Sequence, residues 1–163
     1  MTTKVQVHIR RIRCEAFAAE ADATATMYLA SRRAFMPAVR NPHSEPEIRA
    51  WMRDTVFTRH SVRLADVDGG IVGFASRDGV WLANLYVKPG WTGHGIGTQL
   101  LRAMLANAAS ATPTLRVCTF ARNEHARRFL ENRGFTAAGS ADASANEEHE
   151  PELRYERATR DFR

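Results

Sequence analysis

The stretch from Trp91 to Leu101, WTGHGIGTQLL, combines three closely spaced glycines with leucines at helical spacing immediately after them. Glycine costs backbone entropy and gives no side chain to a core, so this density predicts a tight turn in which the bare backbone is needed. An apolar run, VWLANLYV, leads into the loop, and a helix from about Gly97 to Ala109 follows it. The next run, TLRVCTF, reads as a buried strand, so the segment predicts one parallel crossover.

Upstream of this crossover the sequence predicts an antiparallel meander. Its three strands are SVRLADV, IVGFASR and VWLANLYV. Asp68-Gly69-Gly70 separates the first two strands and Asp78-Gly79 the last two, and both are typical of tight hairpin turns.

The amino-terminal part predicts one strand and two helices. KVQVHIR alternates apolar and polar residues, which is the period of a half-buried strand. The segment from about Glu20 to Met36 has helical apolar spacing without Gly or Pro. Ser44 and Glu47 form a capping box, which predicts a second helix over about Glu45 to Phe57.

The carboxyl-terminal part predicts one helix and two short strands. NEHARRFLENRGF is a helix with Asn123 near its start and Gly134 at its end, where a left-handed cap is expected. The strands are Phe135 to Ala138 and Leu153 to Arg157. Together the elements predict an α+β fold: a mixed, mostly antiparallel sheet of about seven strands flanked by four helices. We expect residues 1–163 to form a single domain.

Composition narrows the class of protein. With 44% hydrophobic and 25% charged residues, the chain reads as a globular domain rather than a disordered one. No apolar run approaches the roughly 20 residues of a membrane span, and the first residues lack a signal peptide, so we expect a cytoplasmic protein. Cys14 and Cys118 lie far apart with no CxxC pattern, which argues against a zinc site or a disulfide and favours reduced, buried thiols.

Charge points to an anionic small ligand rather than to nucleic acid. The net charge is +5, and the arginines that dominate it are scattered instead of clustered in one stripe. One segment, from Ala141 to Glu152, has the opposite sign: it carries a charge of −5, so the remainder of the chain is +10. Its carboxylates are Asp142, Glu147, Glu148, Glu150 and Glu152.

The glycine loop matches neither of two familiar phosphate-binding motifs. A dinucleotide fingerprint starting at Gly93 would need a third glycine where Thr98 stands, and a Walker loop starting at Gly90 would need lysine where Ile96 stands. What remains is a set of backbone amides at the amino end of a helix, which can form an anion nest. The alternative is a tight strand-to-helix turn that binds nothing.

Two segments in this order resemble a known family. LYVKPGWTGHGIGTQLL followed by NEHARRFLENRGF is similar to the two cofactor segments of the GNAT acyltransferases. Their pattern is Gln/Arg-x-x-Gly-x-Gly/Ala after a strand, and later Asn-x-x-Ala-x-x-Phe-Tyr-x-x-x-Gly-Phe. The resemblance covers about Ile71 to Phe135, and the tail NEEHEPELRY also resembles one bacterial branch of the family.

The resemblance implies transfer of an acetyl group from acetyl-CoA to an amine by direct attack in a ternary complex. It places the diphosphate of the cosubstrate on the glycine loop and the pantetheine arm along the preceding strand, with Asn123 bonding the arm from the other side. The implied loop residues are Thr92, Gly93, His94, Gly95, Ile96, Gly97 and Thr98, and the strand residues are Leu85, Tyr86 and Val87. No residue is implied as a metal ligand.

Two departures from the family pattern leave alternatives open. Thr92 stands where the family has Gln or Arg, which shortens or removes one contact to the diphosphate. Leu130 stands where many members have the tyrosine that protonates the departing thiolate. Leu130 makes a non-catalytic acyl-CoA-binding module one alternative function. A protein or peptide N-acetyltransferase, which differs only in the acceptor, is another.

In the family, the connection between the last two strands borders the acceptor side. Glu147 or Glu148 is therefore a candidate to accept the proton of the amine, and His43 is a candidate on the other wall. A solvated loop is the alternative interpretation of the segment. We expect the acceptor to be a positively charged small-molecule amine or peptide, and we expect neither nucleic acid nor a membrane as partner. The oligomeric state stays open, with a homodimer as one alternative.

Overall fold

The computed structural model describes residues 4–160 and contains one seven-stranded sheet in the order β1-β2-β3-β4-β5-β7-β6. All neighbouring strands are antiparallel except β4 and β5, which are parallel. The strands are β1 (His8–Arg10), β2 (Ser61–Val67), β3 (Gly70–Asp78), β4 (Trp81–Val87), β5 (Thr114–Phe120), β6 (Thr136–Ala141) and β7 (Glu152–Ala158). The predicted α+β fold, the meander and the parallel crossover are confirmed.

Helices cover both faces of the sheet. They are α1 (Phe17–Phe35), α2 (Glu45–Trp51), a π-helical segment (Met52–Val56), α3 (Phe57–Arg59), α4 (Ile96–Ala108) and α5 (Glu124–Glu131). Because α2, the π-helical segment and α3 follow one another without a break, the chain has the four predicted helical units. Within the described part of the chain, no helix has the length and apolarity needed to cross a bilayer.

Each sheet face has its own apolar core. On one face, α4 packs its fully buried leucines and Met104 against Leu115 and Tyr155. On the other, α1 and the α2 to α3 unit pack Met52 and Val56 against Phe74. The sheet between these cores fixes the strand edges that form the cleft described below.

The second helix begins as predicted. Ser44 Oγ accepts a hydrogen bond from the Glu47 backbone N–H, and the Glu47 carboxylate accepts one from the Ser44 N–H. The capping box therefore satisfies backbone donors at both ends of the first turn. The π-helical segment that follows was not predicted.

Two sequence expectations are wrong in detail. The first strand contains only His8–Arg10, which pair with Asp66, Ala65 and Leu64 of β2, and Val5 before it is 55% exposed. Cys14 and Cys118 are exposed rather than buried. In β5 the side chains alternate, so Leu115 and Val117 face the α4 core while Cys118 points to the opposite face.

Candidate active site

A cleft opens where β4 and β5 separate. These parallel strands pair only at Trp81 and Arg116, near the start of β4. Beyond that pair they separate, and a cleft of about 490 Å³ lies between them, α4 and α5. A β-bulge adjoins the point of divergence, since Ser76 pairs with Asn84 and Arg77 with Leu82, which leaves Ala83 as the extra residue.

The separation leaves backbone groups of β4 without a strand partner. Lys88 N–H donates to Val72 C=O, so the alternate residues Leu85 and Val87 point their N–H and C=O groups away from β3. On that side β5 has already separated. Ser31 Oγ of α1 donates to Val87 C=O at 3.3 Å, while the N–H groups of Leu85 and Val87 face the cleft. The cleft therefore presents a strand edge to which an extended ligand can bond.

The glycine loop closes one end of this cleft. Gly93 and Gly95 have φ of +78° and +77°, a left-handed conformation that favours glycine. Gly95 is the N-cap of α4, and its C=O accepts a hydrogen bond from Gln99 N–H at 3.0 Å. The amides of the first turn are thus left for another acceptor, and they lie at the positive end of the helix dipole. These amides belong to Ile96, Gly97 and Thr98.

Gly97 is required for a different reason. A Cβ added there would lie 3.1 Å from the Phe129 ring of α5, whereas one added at Gly93 or Gly95 would meet no atom within 4 Å. At Gly95 the constraint is therefore the backbone conformation, and at Gly97 it is the close approach of α5.

Helix α5 forms the opposite wall. Asn123 Oδ1 caps the helix by accepting from Ala126 N–H at 3.1 Å, as the sequence predicted, and Nδ2 lies 3.4 Å from the Met36 sulfur. Because the thioether is a weak acceptor, the amide keeps donors for a ligand. Leu130 lines the cleft and is 3% exposed, so the position of the usual tyrosine is part of the apolar wall.

Tyr86 lines the cleft, and its partly buried ring packs against two other aromatic rings. The ring lies edge-on to Tyr28 at 4.8 Å and is stacked on Phe74 at 5.8 Å. Burial raises the pKa of the Tyr86 phenol above its ordinary value, and Tyr28 raises it further. The hydroxyl therefore stays protonated at neutral pH and acts only as a neutral hydrogen-bonding group.

The structure brings two of the three predicted acid-base residues together. His43 Nε2 lies 2.6 Å from Glu147 Oε2, with the two side chains 47% and 70% exposed. Glu148 Oε1 lies 3.7 Å from Arg32 Nη1, which also donates to Tyr28 Oη. None of the three is among the residues that line the cleft, although the Arg32, Tyr28 and Tyr86 contacts connect Glu148 to its wall.

The remaining carboxylates of the acidic segment have structural partners. Glu150 binds Arg122 at 2.9 Å and is held by backbone bonds to Asn146. Asp142 caps the short turn that follows it by accepting from Ser144. Burial raises the pKa of Glu152, and neighbouring Glu148 raises it further. Of these three carboxylates, Glu150 alone forms an ion pair within residues 4–160, with Arg122.

Cys118 and Arg133 are among the cleft residues that the sequence interpretation missed. Cys118 lines the cleft where β5 has separated from β4, and partial desolvation together with the nearby Glu152 raises the pKa of its thiol. Arg133 lies with its guanidinium 3.8 Å from the centre of the Phe129 ring and contacts Thr98. Arg133 lies just beyond the end of α5 and four residues after Phe129, and this spacing was the available signal. His94, by contrast, bonds the Thr92 and Trp91 carbonyls through Nδ1 and is exposed.

Comparison with known proteins identifies the fold and the domain. Residues 58–137 match the model of the acetyltransferase (GNAT) domain. A comparison with curated protein sequences gave no match.

Solved structures share this architecture over almost the whole chain. The GCN5-related N-acetyltransferase of Rhodopseudomonas palustris is 22% identical, with a TM-score of 0.74 over 97% of this chain and 99% of its own. PaiA N-acetyltransferase of Thermoplasma acidophilum, solved with coenzyme A, is 17% identical with a TM-score of 0.67, covering 94% and 99%. YncA of Salmonella typhimurium, solved with acetyl-CoA, is 16% identical with a TM-score of 0.72, covering 97% and 96%. Residues 58–137 therefore match the acetyltransferase (GNAT) domain, and the chain shares the fold of these N-acetyltransferase structures.

Proposed function

We propose that the protein transfers an acetyl group from acetyl-CoA to an amine acceptor in the cytoplasm, by direct attack within a ternary complex. The observation that carries the proposal is the separation of β4 from β5, which leaves strand-edge donors beside an anion nest. Similar structures of PaiA and YncA hold coenzyme A and acetyl-CoA, which supports this choice of cosubstrate.

The residues present fit such a cosubstrate. The first-turn amides of α4 suit a diphosphate, because they combine free N–H donors with the positive helix end. The edge of β4, from Leu85 to Val87, suits the amide-bearing pantetheine arm, and Asn123 offers a further donor on the other side. When bound, acetyl-CoA supplies an activated acetyl thioester.

The chain contributes mainly by positioning. Holding the amine and the thioester together in one cleft can supply roughly 7 to 11 kcal/mol of the barrier. The N–H of Leu85 or Val87 can donate to the thioester oxygen as negative charge develops there. Each of these N–H groups is held in place by the sheet, so little reorganisation is needed.

We assign removal of the amine's proton to residues on the side of the cleft where the acceptor is expected to bind. An alkyl amine with a pKa of about 10.4 is almost entirely protonated at neutral pH and must lose a proton before it attacks. His43 and Glu147 form a hydrogen-bonded pair that can take up this proton, directly or through water. Glu148 is the second candidate, positioned by Arg32.

Proton delivery to the leaving thiolate lacks the usual tyrosine. Leu130 cannot donate, and the Tyr86 hydroxyl is buried against Tyr28. A thiol with a pKa of about 8.5 leaves as a tolerable thiolate, so water can complete the step more slowly.

Turnover and binding measured together test the proposal against a non-catalytic acyl-CoA-binding module, which Leu130 favours. Thiol release from acetyl-CoA is measured with a panel of cationic, neutral and peptide amines, alongside calorimetric binding of CoA. We expect binding and turnover with at least one amine. Tight CoA binding without turnover on any amine would support the binding module, and no CoA binding would contradict both.

A further inference from the structure

We infer that Arg133 and Thr98 form an additional binding element for the diphosphate of CoA, which replaces the contact that Thr92 is too short to make. The inference rests on the proposed function and adds a recognition residue to it. It stands on four features of the Arg133 side chain: its position, its partners, its unopposed charge and its unused donors.

Arg133 lies against the first turn of α4. Its Nε and Nη2 donate to Thr98 Oγ1 at 2.9 Å and 2.6 Å, and Nη1 donates to Phe129 C=O at 3.1 Å. The guanidinium lies over the Phe129 ring at 3.8 Å. Since Phe129 also contacts Gly97, the ring fixes Arg133 beside the anion nest.

The positive charge of Arg133 has no carboxylate opposite it. None of the ion pairs among residues 4–160 includes this side chain. Burial lowers the pKa of its guanidinium, with no carboxylate acting in the other direction. A partly buried cation held rigidly without a counter-charge is a favourable place for an anion.

The hydrogen-bond inventory leaves donors free in the right place. A guanidinium has five N–H groups, and three of them are used by Thr98 and Phe129. Because Thr98 Oγ1 accepts twice from Arg133, its own hydroxyl proton is free to point elsewhere. Arg133 thus orients Thr98 as a donor and keeps two N–H groups of its own for the ligand.

The position favours the diphosphate over the 3′-phosphate of CoA. Thr98 belongs to the same first helical turn as the Ile96 and Gly97 amides, which the proposed function assigns to the diphosphate. Donors from one turn converge on one anion more readily than on two. The two phosphate sources are separated by comparing CoA with 3′-dephospho-CoA.

The test uses three single variants of the full chain and one double variant, which combines Arg133→Met with Thr98→Val. Arg133→Met keeps the unbranched stem that packs on Phe129 and removes the charge. Thr98→Val removes only the hydroxyl. Arg53→Met is the matched control, because Arg53 is exposed, pairs with Asp54 and does not line the cleft. Calorimetry gives Kd for CoA and 3′-dephospho-CoA, and thermal unfolding verifies that each variant is folded.

We expect Arg133→Met to raise Kd about tenfold or more for both ligands, and Arg53→Met to leave it unchanged. Thr98→Val should weaken binding in the same way, and the double variant should be no weaker than Arg133→Met, because the two residues act as a unit.

Three results would overturn the inference: unchanged Kd in Arg133→Met, a loss confined to CoA, or additive losses in the double variant. A loss confined to CoA would assign Arg133 to the 3′-phosphate. Failure of the wild-type chain to bind CoA would instead contradict the proposed function, so the two failures are distinguishable. If Arg133→Met does not fold, Arg133→Lys and Thr98→Val provide the comparison instead, because both variants keep the positive charge at position 133.

Discussion

Gly95 and Leu130 represent the two ways in which single residues set the chemistry of the cleft. Gly95 begins α4 with a left-handed φ of +77°, which aims the first-turn amides at the cleft. Leu130 makes an apolar wall where the family usually places a proton donor. Under the proposed function, we expect Gly95 to affect binding of the cosubstrate and Leu130 to affect the rate of a later proton transfer.

Gly95→Val should weaken CoA binding by about tenfold or more, because left-handed backbone costs a β-branched residue roughly 1–2 kcal/mol or forces the loop to change shape. Calorimetric Kd measures the effect. Gly79→Val is the matched control, since Gly79 also has positive φ, at +57°, with open space around it in a hairpin outside the cleft. Equal CoA affinity in the two folded variants would contradict the assignment of the loop.

Leu130→Tyr should raise kcat without tightening CoA binding, because it restores a hydroxyl at the cleft wall. Leu130→Phe is the control that adds the ring without the hydroxyl. Steady-state turnover with the best amine provides the comparison. An equal kcat in the Tyr and Phe variants would mean that water or another group already protonates the leaving thiolate.

At the scale of elements, the site depends on the parting of β4 and β5 and on the helices that flank it. α4 presents its amino end to the cleft, α5 closes the opposite wall, and the meander holds β4 in register with β3. On the face of the sheet opposite α4, His60 at the end of α3 contacts this meander. His60 Nδ1 lies 3.1 Å from Ser76 Oγ, which also accepts from Asn84 Nδ2 at 2.8 Å.

His60 should make the fold less stable in mild acid. Burial lowers the pKa of this imidazole, against a smaller opposing effect of Asp78. The unfolded chain therefore takes up a proton first, and stability is lost as pH falls below about 6.5. Urea unfolding between pH 7.5 and 5 should show a smaller decrease for His60→Gln than for wild type, while exposed His8→Gln should behave as wild type. Identical pH dependence in all three would contradict this assignment.

Local rules predicted most elements, and tertiary geometry explains what they missed. Hairpin turns, the Ser44 capping box and the Gly134 cap are short-range signals, so they were readable from the sequence. The separation of β4 from β5 was not readable from the sequence, because the segments that form the two strands are equally apolar and strand-like. Cys118 was wrongly predicted to be buried for the same reason. The sequence TLRVCTF is typical of a strand buried on both faces, whereas only one face of β5 is covered. The location of Arg133 depends on how α5 meets α4.

At the scale of the whole molecule, charge is divided between a basic body and an acidic segment. The segment from Ala141 to Glu152 carries −5 in a chain of net charge +5. The fold gives two of these carboxylates arginine partners, since Glu148 lies against Arg32 and Glu150 against Arg122, while Glu147 lies against His43. We propose that the segment still attracts a cationic acceptor, and that the His43–Glu147 and Arg32–Glu148 pairs accept its proton.

The double variant Glu147→Gln, Glu148→Gln should lose most turnover while CoA affinity stays intact, and its KM for the amine should lose salt sensitivity. Glu124→Gln with Glu156→Gln is the control, because it removes two carboxylates elsewhere. Kinetics at two salt concentrations give the comparison. If both double variants behave as wild type, the acidic segment is a solvated loop.

Amide NMR during a CoA titration tests whether CoA binds along the open edge of β4 and on the first turn of α4. We predict that the largest shifts fall on the N–H signals of Leu85, Val87, Ile96, Gly97 and Thr98, with β1 and β2 unchanged. Saturable shifts confined to other parts of the chain, or no shifts at millimolar CoA, would contradict the account.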